Sequence, residues 1–242
     1  MLIEVDTHCH SIASTHAYST VKEIAASARE IGLKGFALTD HAPSFNDAPH
    51  LWHFHNLRCL PRKINGVTII RGVEASISDS DGNLDMPPEE CRLLEWIIAS
   101  VHLCAYTESI PADFSEVYIN MAKNNPHVDV VGHCTTDDTP FEYERVLKTF
   151  KEYGKLVEIN ESSIINKRGS AKHAVEVLKI CKKHEIPVVV NTDSHFCDLI
   201  GVISNSEAMI NELEFPQRLI ANSDINAVAE FIRRKKPGFS LE

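Results

Sequence analysis

The sequence predicts an α/β fold, a barrel of about seven β/α units, with a doubly wound open sheet as the alternative. Three observations carry this. Short apolar runs rich in β-branched residues alternate with amphipathic helical stretches, the pattern that builds a parallel sheet. The 242 residues contain no linker, composition break or internal repeat, so residues 1–242 read as a single domain. Six of the predicted strands end in His, Asp or Glu, and a β/α barrel gathers the carboxyl ends of its strands at one mouth.

The elements follow in order. Ile3-Glu4-Val5-Asp6-Thr7-His8-Cys9-His10 reads as a strand running into His-x-His. Side chains alternate across a strand, so His8 and His10 share a face while Cys9 points into the core. Two same-facing imidazoles can grip one metal ion. A polar loop containing His16 leads to a helix over 21–31. There Thr20 and Glu23 have capping-box spacing, and Val21, Ile24, Ala25, Ala28 and Ile31 form the apolar stripe that Gly32 closes. Gly35 to Thr39 is a buried strand ending at Asp40-His41. Residues 42–66 are a long insertion rich in Pro, His and aromatics, expected to pack on the surface rather than form a lid. Val67 to Gly72 is a strand ending near Glu74. The acidic residues that follow lack EF-hand spacing, and a tight turn is expected around Asp81-Gly82.

Trp96 to Val101 is a strand ending at His102, and a helix covers 113–123. Val128 to Gly132 is a strand ending at His133. Thr139-Pro140-Phe141-Glu142 combines a capping box with Pro at the first helical position, so a helix is expected from there to about Tyr153. Lys155 to Asn160 is a strand and 170–184 a helix. Pro187 to Asn191 is a strand running into Thr192-Asp193-Ser194-His195. A helix over 206–213, an apolar run at 218–221 and a helix over 224–234 close the chain.

Composition limits the function. Hydrophobic residues at 43% and charged residues at 24% describe an ordinary globular chain. A net charge of −10 leaves no broad basic surface for a nucleic-acid backbone, so nucleic acid is not the expected partner. The seven cysteines include no C-x-x-C, which points to a reducing cytoplasmic location rather than a disulfide framework. No basic leader precedes an apolar core, and no stretch has the length to span a bilayer, so no membrane partner is expected.

The strand ends together supply His8, His10, His16, His41, Glu74, His102, His133, Asp193 and His195. That set exceeds what one catalytic zinc takes. A carboxylate such as Glu74 can bridge two ions, so the set suits two or three divalent metals. Clustered cations acidify a bridging water, hold phosphate oxygens and absorb charge on a leaving oxygen, which fits phosphoester hydrolysis. Asp40 is read as a partner that fixes an imidazole tautomer. Lys167 and Arg168 precede the helix at Ser170, where a basic pair beside a helix N-terminus is a candidate phosphate site or an exposed turn.

His8-x-His10, Ser14-Thr15-His16-Ala17-Tyr18-Ser19, Thr39-Asp40-His41, Gly72-Val73-Glu74 and Asp193-Ser194-His195 resemble the motifs of the PHP (polymerase and histidinol phosphatase) family, closest to its YcdX-like phosphatase branch. The resemblance covers essentially the whole chain. It implies a distorted TIM-like (βα)7 barrel holding three divalent metal ions, usually zinc, sometimes manganese or iron. By that resemblance His8, His10, Glu74 and Asp193 bind one ion. Glu74 bridges to a second held by His102 and His133, and His16, His41 and His195 hold the third. The implied activity is hydrolysis of a small phosphomonoester by a metal-bound hydroxide, with Glu74 and Asp193 as catalytic residues, in a chain expected to form a homotrimer. Cys134-Thr135-Thr136-Asp137-Asp138 departs from the Pro-Gly-type turn expected after His133 and alters the rim.

Three other readings fit less well. An amidohydrolase also opens with His-x-His and ends on a strand-end Asp, but it typically bridges its metals through a modified lysine and leaves His16 and His41 without a place. A nuclease or phosphodiesterase fits poorly with an acidic chain that carries no polymerase. A non-catalytic metal-binding module would be expected to have lost ligands.

Overall fold

The computed structural model describes residues 2–167 and 169–242. Its strands in chain order are β1 (Val5–Cys9), β2 (Gly35–Leu38), β3 (Lys63–Ile64), β4 (Val67–Ser76), β5 (Trp96–Ser100), β6 (Val130–Val131), β7 (Leu156–Asn160) and β8 (Val188–Asn191). All but β3 form one parallel sheet in the order β1-β2-β4-β5-β6-β7-β8, and β3 pairs antiparallel with the start of β4. Helices α1 (Val21–Glu30), α2 (Trp52–Asn56), α3 (Pro88–Cys91), α4 (Ser115–Asn124), α5 (Tyr143–Glu152), α6 (Glu161–Asn166), α7 (Ser170–His184), α8 (Ser204–Glu212) and α9 (Ile225–Arg233) make the connections. Among the described residues no helix is long and apolar enough to cross a membrane.

Alternation along each strand divides the interior into two levels. Ala37, Ile70, Ile98, Leu156 and Val189 point inward at the lower level and pack with Ile225, Val228 and Ile232 of α9, which plugs the bottom. Two residues further along the same strands, Glu74 lies above Gly72, Ser100 above Ile98, Glu158 above Leu156 and Asn191 above Val189. The inner wall thus turns from apolar to polar toward the carboxyl ends. The intervening residues, such as Phe36, Ile97, Val157 and Val190, face the helices in the larger core. A register shift between Asp6 and Cys9 changes the phase of β1, so that Val5 points inward below and His8 and His10 point inward above.

β4 is long because it serves two neighbours. Thr68–Arg71 pair with β2 and Gly72–Ser76 pair with β5. Gly72 stands where the partner changes, and a Cβ there would lie 2.7 Å from the Trp96 carbonyl oxygen, so no side chain fits.

The seam between β1 and β8 carries no continuous ladder, which is the distortion of this nearly closed barrel. At the mouth, backbone bonds join it: Asp193 N donates to His8 O at 3.0 Å and His10 N to Ser194 O at 2.9 Å. Below, the buried Asn222 side chain takes the place of a strand. Its Nδ2 donates to Val5 O at 2.8 Å and Val190 O at 2.7 Å, and its Oδ1 accepts from Val190 N at 3.0 Å. Replacing Asn222 by Ala strands these buried groups at about 1–3 kcal/mol each before relaxation. Chemical denaturation of Asn222→Ala should show a loss of about 3 kcal/mol in unfolding free energy; a loss below ~0.5 kcal/mol would contradict this role.

The sequence expectations hold for most elements; the short strand β3 and the short helices α2 and α3 were not anticipated, and the further differences are local. The Thr20–Glu23 capping box forms, but the one expected at Thr139–Glu142 does not. Tertiary partners claim its groups. Glu142 N donates to Ser115 Oγ at 2.8 Å, Thr139 Oγ1 accepts from Tyr118, and α5 starts only at Tyr143. The strand expected over 128–132 shortens to Val130–Val131. The apolar run at 218–221 straddles two 3₁₀ turns, Gln217–Leu219 and Ala221–Ser223, and Ile220 between them bridges Val188. Helix α6 was not anticipated; Asn160 at the end of β7 caps it, its Oδ1 accepting from Ser163 N at 2.8 Å.

Candidate metal centre

All nine side chains singled out from the strand ends meet at the barrel mouth, and most of the imidazoles share one orientation. A ring whose Nδ1 is held by a partner presents Nε2 as its free donor. His8 Nδ1 faces Glu158 Oε1 at 2.8 Å, His102 Nδ1 faces Ser76 Oγ at 3.0 Å, and His195 Nδ1 faces the Asp193 carbonyl at 3.0 Å. His16 Nδ1 bonds Asp47, and His10 Nδ1 lies 3.5 Å from Ser14 Oγ. The Nε2 atoms of these rings are thereby left to face the mouth, while His41 is turned the other way, its Nδ1 3.0 Å from Glu74 Oε2.

The first group brings four donor atoms within reach of one another around His8 and His10. His8 Nε2 and His10 Nε2 are 3.2 Å apart. Glu74 Oε2 lies 3.3 Å from the first and 3.5 Å from the second, and Asp193 Oδ1 lies 3.5 and 3.1 Å from them. Four ligands at about 2.0–2.1 Å from a central ion form a tetrahedron with edges of about 3.3 Å. The distances from His8 and His10 to each other and to the two carboxylates fall near that edge length, so the residues present fit a divalent ion.

Glu74 looks two ways. Its Oε2 belongs to the first group, and its Oε1 lies 2.9 Å from His133 Nε2 and 3.4 Å from His102 Nε2. Ser100 Oγ donates to that same Oε1 at 2.7 Å and fixes the carboxylate plane. The rings of His16 and His195 lie 4.3 Å apart, with His41 5.3 Å from His16 and 6.1 Å from His195. Buried His195 Nε2 has no hydrogen-bond partner, as a metal donor would, and buried His41 Nδ1 faces only the Glu74 carboxylate, at 3.0 Å and off the line of a hydrogen bond. His41 stands centrally. Donor atoms within 4.8 Å of one another group it with His10 and His195, with His16 and Asp47, or with Glu74 and His102.

The charge states suit cations. Burial alone would raise the Glu74 carboxyl, but His8, His102 and His41 hold it well below its ordinary value. Asp193 is likewise held down against burial by His8 and His10. Burial and the neighbouring His41 push His10 down to about 4. Burial pulls His8 down, yet Glu158, Asp193 and Glu74 together raise it well above the imidazole range. The carboxylates thus draw positive charge to the spot where the His8 and His10 donors converge. Two of the nine positions hold backbone in the left-handed region, His133 at φ 23° and Asp193 at φ 54°. Such conformations cost energy in non-glycine residues and concentrate at functional sites.

Sequence reasoning missed Glu158 and Asp47. Glu158 is fully buried in β7 and accepts four bonds: His8 Nδ1, Asn191 Nδ2 at 2.8 Å, His133 N at 2.7 Å and Asn160 Nδ2 at 3.0 Å. Asp47 comes from the insertion and orients His16. Asp40 does not touch an imidazole of the cluster. It accepts from Ser11 N at 2.8 Å and Ser14 Oγ at 2.9 Å, anchoring the loop that carries His16, and the imidazole it meets is His53 of the insertion at 3.1 Å. The insertion is packed as expected, with Phe54 buried and His55 bonded to Glu90. The added acidic residue Asp137 accepts from His173 Nε2 at 2.7 Å, tying the rim to α7. Burial and the charge of Lys167 lower the His133 imidazole, which brings Lys167 into range of the mouth, whereas Arg168 lies outside the described residues.

Cys9 and Cys134, each adjacent in sequence to a cluster histidine, are buried and face away, with burial pushing Cys134 up to about 12. A thiol reagent added to native protein should label Cys59 and Cys104 fast and Cys197 slowly, and reach Cys9, Cys91, Cys134 and Cys181 only on unfolding. Fast labelling of Cys9 or Cys134 would contradict the packing behind the cluster.

The model of the PHP domain matches residues 6–162, from β1 into α6. The chain belongs to the PHP domain family. A curated relative from Acetivibrio thermocellus, named a probable phosphatase, is 39% identical over 236 residues, covering 98% of this chain and 98% of its own. A second, from Thermoanaerobacter pseudethanolicus and also named a probable phosphatase, is 38% identical over 237 residues, covering 98% of this PHP chain and 97% of its own. Among solved structures, the histidinol phosphate phosphatase of Lactococcus lactis, complexed with zinc, L-histidinol and phosphate, superposes with a TM-score of 0.66 at 17% identity, covering 88% of this chain and 94% of that one. That likeness establishes the shared barrel.

Proposed function

We propose that this PHP chain is a metal-dependent phosphomonoesterase with a trinuclear site. The observation that carries the reading is Glu74, whose two oxygens each face a separate set of donors. In this reading His8, His10, Glu74 and Asp193 hold one ion, Glu74, His102 and His133 a second, and His16, His41 and His195 a third, with Asp47 in reach of the last. Imidazole and carboxylate donors suit zinc first and also manganese or iron. The names of the relatives and the zinc and phosphate in the Lactococcus lactis protein support it. Bound there, the ions supply a hydroxide nucleophile at neutral pH and neutralise phosphate charge.

The chain's own residues do the rest. Asp193, held by Asn160 Nδ2 at 3.2 Å through its other oxygen, orients the attacking water. Glu158 and Ser76 fix the rings of His8 and His102. Lys167 adds positive charge for the outer phosphate oxygens. Asp193 and His195 lie beyond the matched 6–162, so the functional domain runs on through β8 toward the end of the chain.

The test is hydrolysis of p-nitrophenyl phosphate beside bis-p-nitrophenyl phosphate, before and after chelation. Chelator-sensitive cleavage of the monoester is the expected result. Cleavage of the diester alone would replace this reading with a phosphodiesterase or nuclease, and chelator-insensitive turnover would overturn it.

A further inference from the structure

A cleft of about 410 Å³ opens beside Asp193, His195 and His16, between α6 and the segment that follows β8. Its volume falls at the small end of the roughly 300–1,000 Å³ of small-molecule sites. Three large apolar side chains face it and are otherwise uncovered: Ile165 is 63%, Leu199 54% and Val202 44% exposed. Single exposed apolar residues are ordinary, but three converging on one opening next to a catalytic cluster form a binding surface.

Apart from the cluster residues and Glu161, the polar lining is uncharged. Ser162 and Asn166 contribute uncharged groups. Glu161 is occupied: its Oε1 accepts from Asn205 N and Nδ2 at 2.9 and 2.8 Å, and its Oε2 from Ser206 N and Oγ at 2.8 and 2.6 Å. No Lys or Arg is among the described residues lining the cleft. A second anionic group on a substrate, set against these lining residues, would lose water without gaining a counter-charge from them.

From this arrangement we infer that the site takes phosphomonoesters of small, uncharged, largely apolar alcohols, with Ile165, Leu199 and Val202 as the residues that set the preference. The inference rests on the phosphatase reading above. It predicts discrimination against bisphosphates and polyhydroxylated leaving groups.

The test compares benzyl phosphate, glycerol 1-phosphate and fructose 1,6-bisphosphate on metal-loaded protein. The first two both release a primary alcohol, so leaving-group chemistry does not dominate the comparison. The expected result is a kcat/KM for benzyl phosphate at least about tenfold above either of the others. Ile165→Asn combined with Leu199→Asn should collapse that ratio to within about threefold, because only Val202 of the three apolar side chains is then left. Turnover of all three esters without preference, or an unchanged ratio in the double variant, would overturn this inference alone. Absence of turnover with every ester would overturn the phosphatase reading as well.

Discussion

Glu74→Gln lowers phosphomonoester turnover by more than about a hundredfold while leaving the barrel folded. The substitution preserves shape, but it turns one oxygen into a donor. Glu74 Oε1 now accepts from Ser100 and faces His133 and His102, while Oε2 lies 3.0 Å from His41 Nδ1 and faces His8 and His10. An amide can serve one of those sets and must point its NH2 at the other. Bound metal should fall by at least one ion per chain. Circular dichroism and a denaturation curve of the variant separate this outcome from unfolding. A folded Glu74→Gln protein with native turnover would show that the carboxylate does not bridge.

Glu158→Gln has the second-largest expected effect, although Glu158 is not placed on an ion. Its carboxylate is acceptor-only and takes four donors, two of them through His8 Nδ1 and the backbone of His133. Burial would raise this carboxyl, and the facing His8 holds it below its ordinary value, so the ionised form is the one the site keeps. A glutamine presents one oxygen and one NH2, and the NH2 must face a donor. Losses of this kind at a ligand's orienting partner run to about 10–100-fold in metal affinity or activity. The expected pattern is a lowered metal affinity with kcat recovered at high metal concentration. A purely structural role would lower the unfolding midpoint and leave kcat unrescued by added metal.

What the sequence discloses and what it withholds have physical reasons. Strand-end ligands are legible because strand periodicity and barrel topology together fix where they point. His8 and His10 share a face whatever the exact register, and the phase change in β1 preserves that relation. Glu158 is not a strand-end residue: it stands in the middle of β7, two residues before Asn160. Its signal was available: a lone carboxylate between Val157 and Ile159, in a strand buried at every position. Asp47 carried no comparable signal, since its approach to His16 depends on the path of an irregular insertion. The grouping of donors around His41 depends on ring orientations that no spacing in sequence determines. The missing capping box at Thr139 shows tertiary contacts overriding a local rule: Ser115 and Tyr118 offered its groups better partners.

The central claim, a multinuclear centre that performs hydrolysis, is tested most directly by counting metal ions per chain in the sample whose p-nitrophenyl phosphate turnover is measured, as metal is titrated back into chelated protein. The account predicts no turnover without metal, and activity that rises to a plateau as occupancy approaches three ions per chain. Full activity at one ion per chain, or turnover in protein that holds none, would contradict it.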